Sequence, residues 1–282
     1  MDRRSFLLAA AAMAAGCSRT AETGATEMTR TAPLGIQLYS VRDLMAADVA
    51  ATLELIASKG YREVEFAGYF NHSPADLKAM LSAVGLQAPS AHLPYSAFIE
   101  SPEKVLEHAT AMGHQFVVVP GLDTDLRSLD HYREHAENFN RWGELCKGAG
   151  IQFAYHNHQF EFEKTEGTLP FDLLLAETDP SLVQFELDLA WARAANADSV
   201  AYFKAWPGRF PMLHIKDFDA SGNEADIGDG DVPFASIFEY LDTAGVKHGF
   251  IERDYSKDIN YSLQHNFDAV EPLWTLHMGS KT

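Results

Sequence analysis

Cysteine is scarce in this chain of 282 residues, which carries two, Cys17 and Cys146. Cys17 closes the leading apolar segment, so Cys146 alone remains for the domain, which leaves neither a disulfide framework nor a zinc cluster built from thiolates. Cys146 stands in "RWGELCKGAG", a helical ending, and reads as a small buried apolar side chain. Positive charge is also in short supply: 22 lysines and arginines against 40 aspartates and glutamates give a formal net charge of -18. That balance argues against a nucleic-acid partner, because binding phosphates by counterion release needs a basic surface. A neutral or cationic small ligand, or an anion held through a metal, is easier to accommodate. There is no Gly-rich phosphate fingerprint after the first strand-like segment, and the apolar run from Phe6 to Ala15 is too short to span a bilayer permanently.

What is present begins with a targeting segment. "MDRRSFLLAAAAMAAGC" sets Arg3 and Arg4 before that apolar run and closes with small residues ahead of Cys17. Residues 1–17 resemble a twin-arginine export signal ending in a lipoprotein box, with Cys17 as the lipidated first residue of the mature chain. The alternative is a simple secretory peptide cleaved near the same point. Either way the expectation is an exported, periplasmic protein whose membrane contact, if it has one, is a lipid anchor. Residues 18–32, small and polar, read as a flexible tether. The remainder, 33–282, has the length of a single large domain, and an apolar content of 46% is that of a globular protein.

Eight short apolar or β-branched runs follow: "LGIQLYS", "EVEFAG", "QAPSAHL", "QFVVVPG", "IQFAYHNH", "VQFELDL", "MLHIKDF" and "GFIERD". Their starts lie roughly 25 to 37 residues apart, the length of one strand and one crossover helix. Intervening stretches such as "DVAATLELIASKG", "SPADLKAMLSAVG" and "SPEKVLEHATAMG" open on a capping residue and stop at Gly. Eight such units predict a (β/α)8 TIM barrel, with an open doubly wound sheet as the rival because strand order cannot be read from sequence.

Side chains alternate faces along a strand. In "IQFAYHNH", His156 and His158 therefore share a face with Ala154; in "VQFELDL", Glu186 and Asp188 share one; in "MLHIKDF", His214 and Lys216 share one. Glu65, His92 and Glu252 lie at or near the carboxyl ends of their strands, where a TIM barrel builds its active site. Burying so many ionisable groups costs several kcal/mol each unless something compensates, and a divalent cation does so directly. Two imidazoles with two carboxylates suit zinc, manganese, cobalt or iron; calcium prefers oxygen alone, and magnesium is less suited. Taken singly, His92 reads as a hydrogen-bonded core histidine, Asp188 as a helix cap and Lys216 as a solvated strand end. The joint pattern carries the metal reading.

The segments "GIQLYSVR", "GYREVEFAG", "SAHLP", "YHNHQFEF", "ELDLAW", "GRFPMLHIKDF" and "IERD" together resemble the sugar phosphate isomerase/epimerase family, the xylose isomerase-like TIM barrels, over residues 33–276. The resemblance implies one divalent metal held by a Glu on the fifth strand, an Asp on the sixth, a His on the seventh and a Glu on the eighth. Asp188, His214 and Glu252 match the last three. At the first position the chain departs from the family: "HNH" puts His156 where many members have Glu, with Glu161 in the following loop as a substitute ligand. In the family's ketose epimerases the two Glu residues act on opposite faces of the sugar, and that symmetry is lost here. His158 is the expected base, Glu252 shares the proton and Lys216 orients the substrate; His92, Glu65, Trp191 and Tyr39 are the expected substrate contacts.

The implied activity is a metal-dependent sugar isomerase or epimerase, removing a proton next to a carbonyl through a metal-stabilised enediolate. The alternative is a lyase or hydratase of 3-keto-glycosides acting by β-elimination. A third reading is a non-catalytic sugar-binding lipoprotein, against which Asp188, His214 and Glu252 weigh. The expected partner is a sugar or keto-sugar, and a homo-oligomer is compatible with all three.

Overall fold

The computed structural model describes residues 33–279; the signal and tether expected over residues 1–32 lie outside the described residues. Eight parallel strands, β1 Gly35–Gln37, β2 Glu63–Ala67, β3 Gln87–His92, β4 Phe116–Val119, β5 Gln152–His156, β6 Val183–Asp188, β7 Met212–Ile215 and β8 His248–Ile251, close into a barrel. Each pairs with its neighbours in sequence, and β1 pairs with β8. Closure rules out the open doubly wound sheet, and each of the eight predicted runs supplies one strand.

The crossovers follow their local signals. Asp48 caps helix α1, Val49–Ser58, accepting from the Ala51 amide at 3.0 Å. Ser73 caps α2, Pro74–Val84, which starts on Pro and ends at Gly85 with φ 71°. Helix α3, Pro102–Met112, ends on Gly113, but the expected cap Ser101 makes no side-chain cap bond. A short helix, Tyr95–Glu100, runs directly into it, and the Ser101 amide bonds back to Ala97. Helix α4, Leu129–Gly148, buries Cys146 completely, as its setting predicted.

Alternation sorts the side chains into two cores. Phe153, Tyr155, Phe185, Leu187, Leu213 and Ile215 face outward into the layer beneath the helices. Phe116, Val118, Ala154, Met212 and Phe250 face inward and plug the barrel. The plug is tight enough that a Cβ on Gly35 would stand 2.4 Å from the Phe250 ring, so β1 passes there as glycine. Above the plug the inward positions change character and become His, Asp, Glu and Lys. Among the described residues no helix is long and apolar enough to cross a membrane.

Candidate active site and metal centre

Two residues beyond Ala154, Met212 and Phe250 of the apolar plug, the same faces carry His156, His214 and Glu252, and Asp188 stands two residues beyond the inward Glu186 of β6. Each offers one ligand atom, and these atoms lie within 4.8 Å of one another, all buried. Local bonding aims them. His156 Nδ1 donates to the Pro120 carbonyl at 3.1 Å, which leaves Nε2 as a lone pair with no partner, 3.6 Å from Asp188 Oδ2. Asp188 ends β6 and caps helix α5, Leu189–Ala194: Oδ1 accepts from the Ala190 and Trp191 amides at 2.9 and 2.8 Å. Its other oxygen, Oδ2, is buried and unpartnered. The expected helix cap is thus made by Oδ1 alone, and Oδ2 is left to face His156. Asn157 explains the middle of "HNH": its side-chain oxygen accepts from the Asp188 amide at 3.1 Å and ties the end of β5 to the end of β6.

His214 is fully buried between carboxylates, with Nδ1 3.0 Å from Glu252 Oε2 and Nε2 2.8 Å from Glu65 Oε2. Burial opposes its charge, but Glu186 and Glu252 outweigh that and hold its pKa well above the ordinary histidine value. The reverse holds at His156, where burial and the neighbouring His214 and His92 push the pKa well below it. Glu252 is held well below the carboxylate range: burial opposes ionisation, and His214 and Lys216 overcome it. Lys216 Nζ lies 3.6 Å from Glu252, 3.4 Å from Glu224 and 2.5 Å from Asp254, so it stays an ammonium although 1% exposed.

A cleft of about 410 Å3 opens over this group, lined among others by Tyr39, His92, His158, Trp191, Lys216 and Glu252. His158 follows β5 and reaches the cleft wall, its ring 5.0 Å from His156, 5.5 Å from Phe160 and 5.7 Å from Trp191. Its Nδ1 has no partner. Burial, with His156 adding to it, pushes its pKa down to about 3. Trp191 lies under Lys216 Nζ at 5.1 Å and packs edge-on to Phe218, and Tyr39, 45% exposed, stands at the rim.

Two expected residues are placed elsewhere. Glu161 does not join the ligand group: the Tyr155 hydroxyl donates to one oxygen and the His158 amide to the other at 2.8 Å. Tyr155 points outward from the barrel, so Glu161 turns to the helix layer, and burial raises its pKa to about 7. Glu65 does not line the cleft. It is wholly buried below it, bonded to Gln37 at 2.8 Å, Ser90 at 2.5 Å and His214. The residue the sequence reading left without a role is Glu186, whose Oε2 lies 2.6 Å from His92 Nε2 and 3.3 Å from His214 Nε2. Its signal was its two-residue spacing from Asp188.

Buried histidines and carboxylates with a lysine, gathered at the carboxyl ends of several strands of a closed parallel barrel, stand where barrels of the enzyme kind build their sites. The chain belongs to the xylose isomerase-like TIM barrel family, whose model matches residues 53–265. It is 24% identical over 214 residues to an inosose dehydratase of Clostridium perfringens, covering 61% of this chain and 71% of that one. A sugar phosphate isomerase/epimerase from Parabacteroides distasonis has the same fold with a TM-score of 0.78 and 28% identity, over 87% of this chain and 98% of that one. The IOLI protein with a binding zinc atom shares the fold at a TM-score of 0.70 and 13% identity, over 87% and 99% of the two chains.

Proposed function

We propose that this protein is a divalent-metal-dependent enzyme that takes a proton from the carbon beside a carbonyl of a sugar or keto-sugar, and that elimination of a hydroxyl group is the outcome its site favours. The observation that carries the metal requirement is the pair of buried, unpartnered atoms, His156 Nε2 and Asp188 Oδ2, turned toward each other beside His214 and Glu252. Unpaired polar atoms in a dry interior cost about 1–3 kcal/mol each, and a shared cation removes that cost. His156, Asp188, His214 and Glu252 would hold the ion, and the chemistry it supplies when bound is polarisation of the substrate oxygen placed on it.

The chain's own residues do the rest. His158 stays neutral at any ordinary pH, so it can accept the carbon's proton, and its low pKa makes it a weak base that depends on the activated carbonyl. The same imidazolium then returns that proton to the departing hydroxyl, so the balance is loss of water. Lys216, kept cationic by its carboxylate neighbours, stabilises negative charge developing on the substrate. Trp191 offers an aromatic face for the apolar side of a ring. Elimination is favoured over two-base epimerisation because the fifth-strand carboxylate is replaced by His156, whose Nδ1 is bound to backbone and whose Nε2 faces the ligand group. Dehydration is also what the name of the Clostridium perfringens relative describes. Isomerisation or epimerisation stands second, supported by Glu252 at the cleft and by the name of the Parabacteroides distasonis relative.

The test is metal analysis of the purified protein, then a screen of keto-polyols, 3-keto-glycosides and free sugars for an absorbing enone or exchange of a carbon-bound proton. Changing His158 to Gln is expected to lower kcat by about 10²–10⁴-fold with metal content unchanged. Metal lost in proportion to activity, or near-normal turnover, would remove His158 from the role of base.

A further inference from the structure

Below the group just described lies a second one. Glu65, His92, Glu186 and His214 come together in the barrel interior, each offering one ligand atom, and these atoms lie within 4.8 Å of one another. Nitrogen and oxygen alternate around the group. His92 Nε2 is 2.6 Å from Glu186 and 3.2 Å from Glu65; His214 Nε2 is 2.8 Å from Glu65 and 3.3 Å from Glu186. Four ligands at zinc-like bond lengths stand about 3.3 Å apart along the edges of a tetrahedron. Two of the separations, 3.2 and 3.3 Å, are at that value; the other two, 2.6 and 2.8 Å, are hydrogen bonds whose shared protons a bound ion would replace. Glu186 meets both imidazoles through Oε2, and its other oxygen, Oε1, is buried without a hydrogen-bond partner. His214 belongs to both groups through different atoms: Nδ1 faces Glu252 and Asp188 above, Nε2 faces Glu65 and Glu186 below.

We infer that Glu65, His92, Glu186 and His214 form a second divalent-cation site and that the His214 ring bridges it to the site of His156, Asp188 and Glu252. This rests on the proposed reading of the upper group as a metal site. Charge supports it. The carboxylates Glu65, Glu186, Asp188 and Glu252 are at most 7% exposed, and the buried ammonium beside them, Lys216, is shared with Asp254 and Glu224 on its outer side. One dication with Lys216 offsets three of the four negative charges. A second would offset the fourth and the charge of the His214 ring once two ions replace the protons it shares with Glu252 and Glu65. The donor set, two imidazoles and two carboxylates, selects a zinc-, cobalt-, manganese- or iron-type ion over calcium.

The experiment loads the full-length protein with Zn2+, removes excess ion, and measures metal per chain together with anomalous scattering from crystals. Two equivalents and two peaks roughly 6 Å apart, one on each side of His214, are expected from two metal–nitrogen bonds across one ring. Glu186→Gln, of nearly equal volume, should lose the lower peak and keep the upper; Asp188→Asn should do the opposite. Far-ultraviolet circular dichroism checks that each variant is folded. Saturation at one equivalent that survives Glu186→Gln would overturn the second site and leave the lower group as a hydrogen-bonded support. One equivalent lost in Glu186→Gln but kept in Asp188→Asn would overturn the bridge and the upper site, and uphold the lower one.

Discussion

Glu161 shows how one buried side chain can couple the strand's outer face to solution pH. Its oxygens accept from the Tyr155 hydroxyl and the His158 amide, yet burial outweighs these bonds and raises its pKa from 4.5 to about 7. A carboxyl whose folded pKa exceeds its unfolded value favours the fold most below the unfolded value, and that stabilisation is lost as pH rises through the folded one. The window therefore runs from about pH 4.5 to about pH 7, with a loss on the order of 3 kcal/mol. Thermal melts of the wild type should fall across it, superposed on any other titration. Glu161→Gln should flatten the fall, because an amide can still accept from the His158 N–H while the Tyr155 hydroxyl turns to accept from its NH2. An equally steep fall in both proteins would exclude Glu161 as the source.

At the scale of the element, the turn after β4 is built around His158. Gly121 has φ +152°, and a Cβ there would lie 3.1 Å from Cε1 and Nδ1 of the His158 ring. Gly121→Ala should therefore strain the backbone by about 1–3 kcal/mol and push His158 from the cleft wall. Lower turnover with unchanged metal content is the expected readout; a variant as active as wild type would show that the ring has room to move. Elements of this kind were only partly legible beforehand. Period-two alternation placed His156, Asp188, His214 and Glu252 on one interior surface because strands leave a side chain no other choice. Glu186 obeyed the same rule, but depth along a strand is set by barrel stagger, which pairs Glu186 with His156 and Asp188 with His214 across neighbouring strands. The same stagger sinks Glu65 below the cleft. Glu161 follows no strand period, and a loop side chain's direction depends on partners such as Tyr155 that only the folded chain supplies.

For the whole molecule, the formal charge of -18 and the buried carboxylates raise the question of what balances the interior. Location bears on that too, since export would decide where the ion is acquired. Residues 1–17 are expected to direct export, so replacing Arg3 and Arg4 with Lys should hold the precursor in the cytoplasm, as fractionation would show. An unmodified mature terminus downstream of Cys17 in mass spectrometry would reject the lipid anchor. The ion itself is tested by removing it. A ligand that binds only the folded state stabilises it by about 2.7 kcal/mol at a hundred times its Kd. For a domain of this size 1 kcal/mol moves Tm by roughly 2–4 °C, so chelation should lower Tm by roughly 5–10 °C, and added Zn2+ or Mn2+ should restore it. Asp188→Asn should melt lower without chelator and respond less to it, because its buried site has already lost a ligand. If chelation leaves the wild-type Tm unchanged while atomic absorption confirms that metal is gone, the buried imidazoles balance the carboxylates as cations and the fold does not depend on the ion.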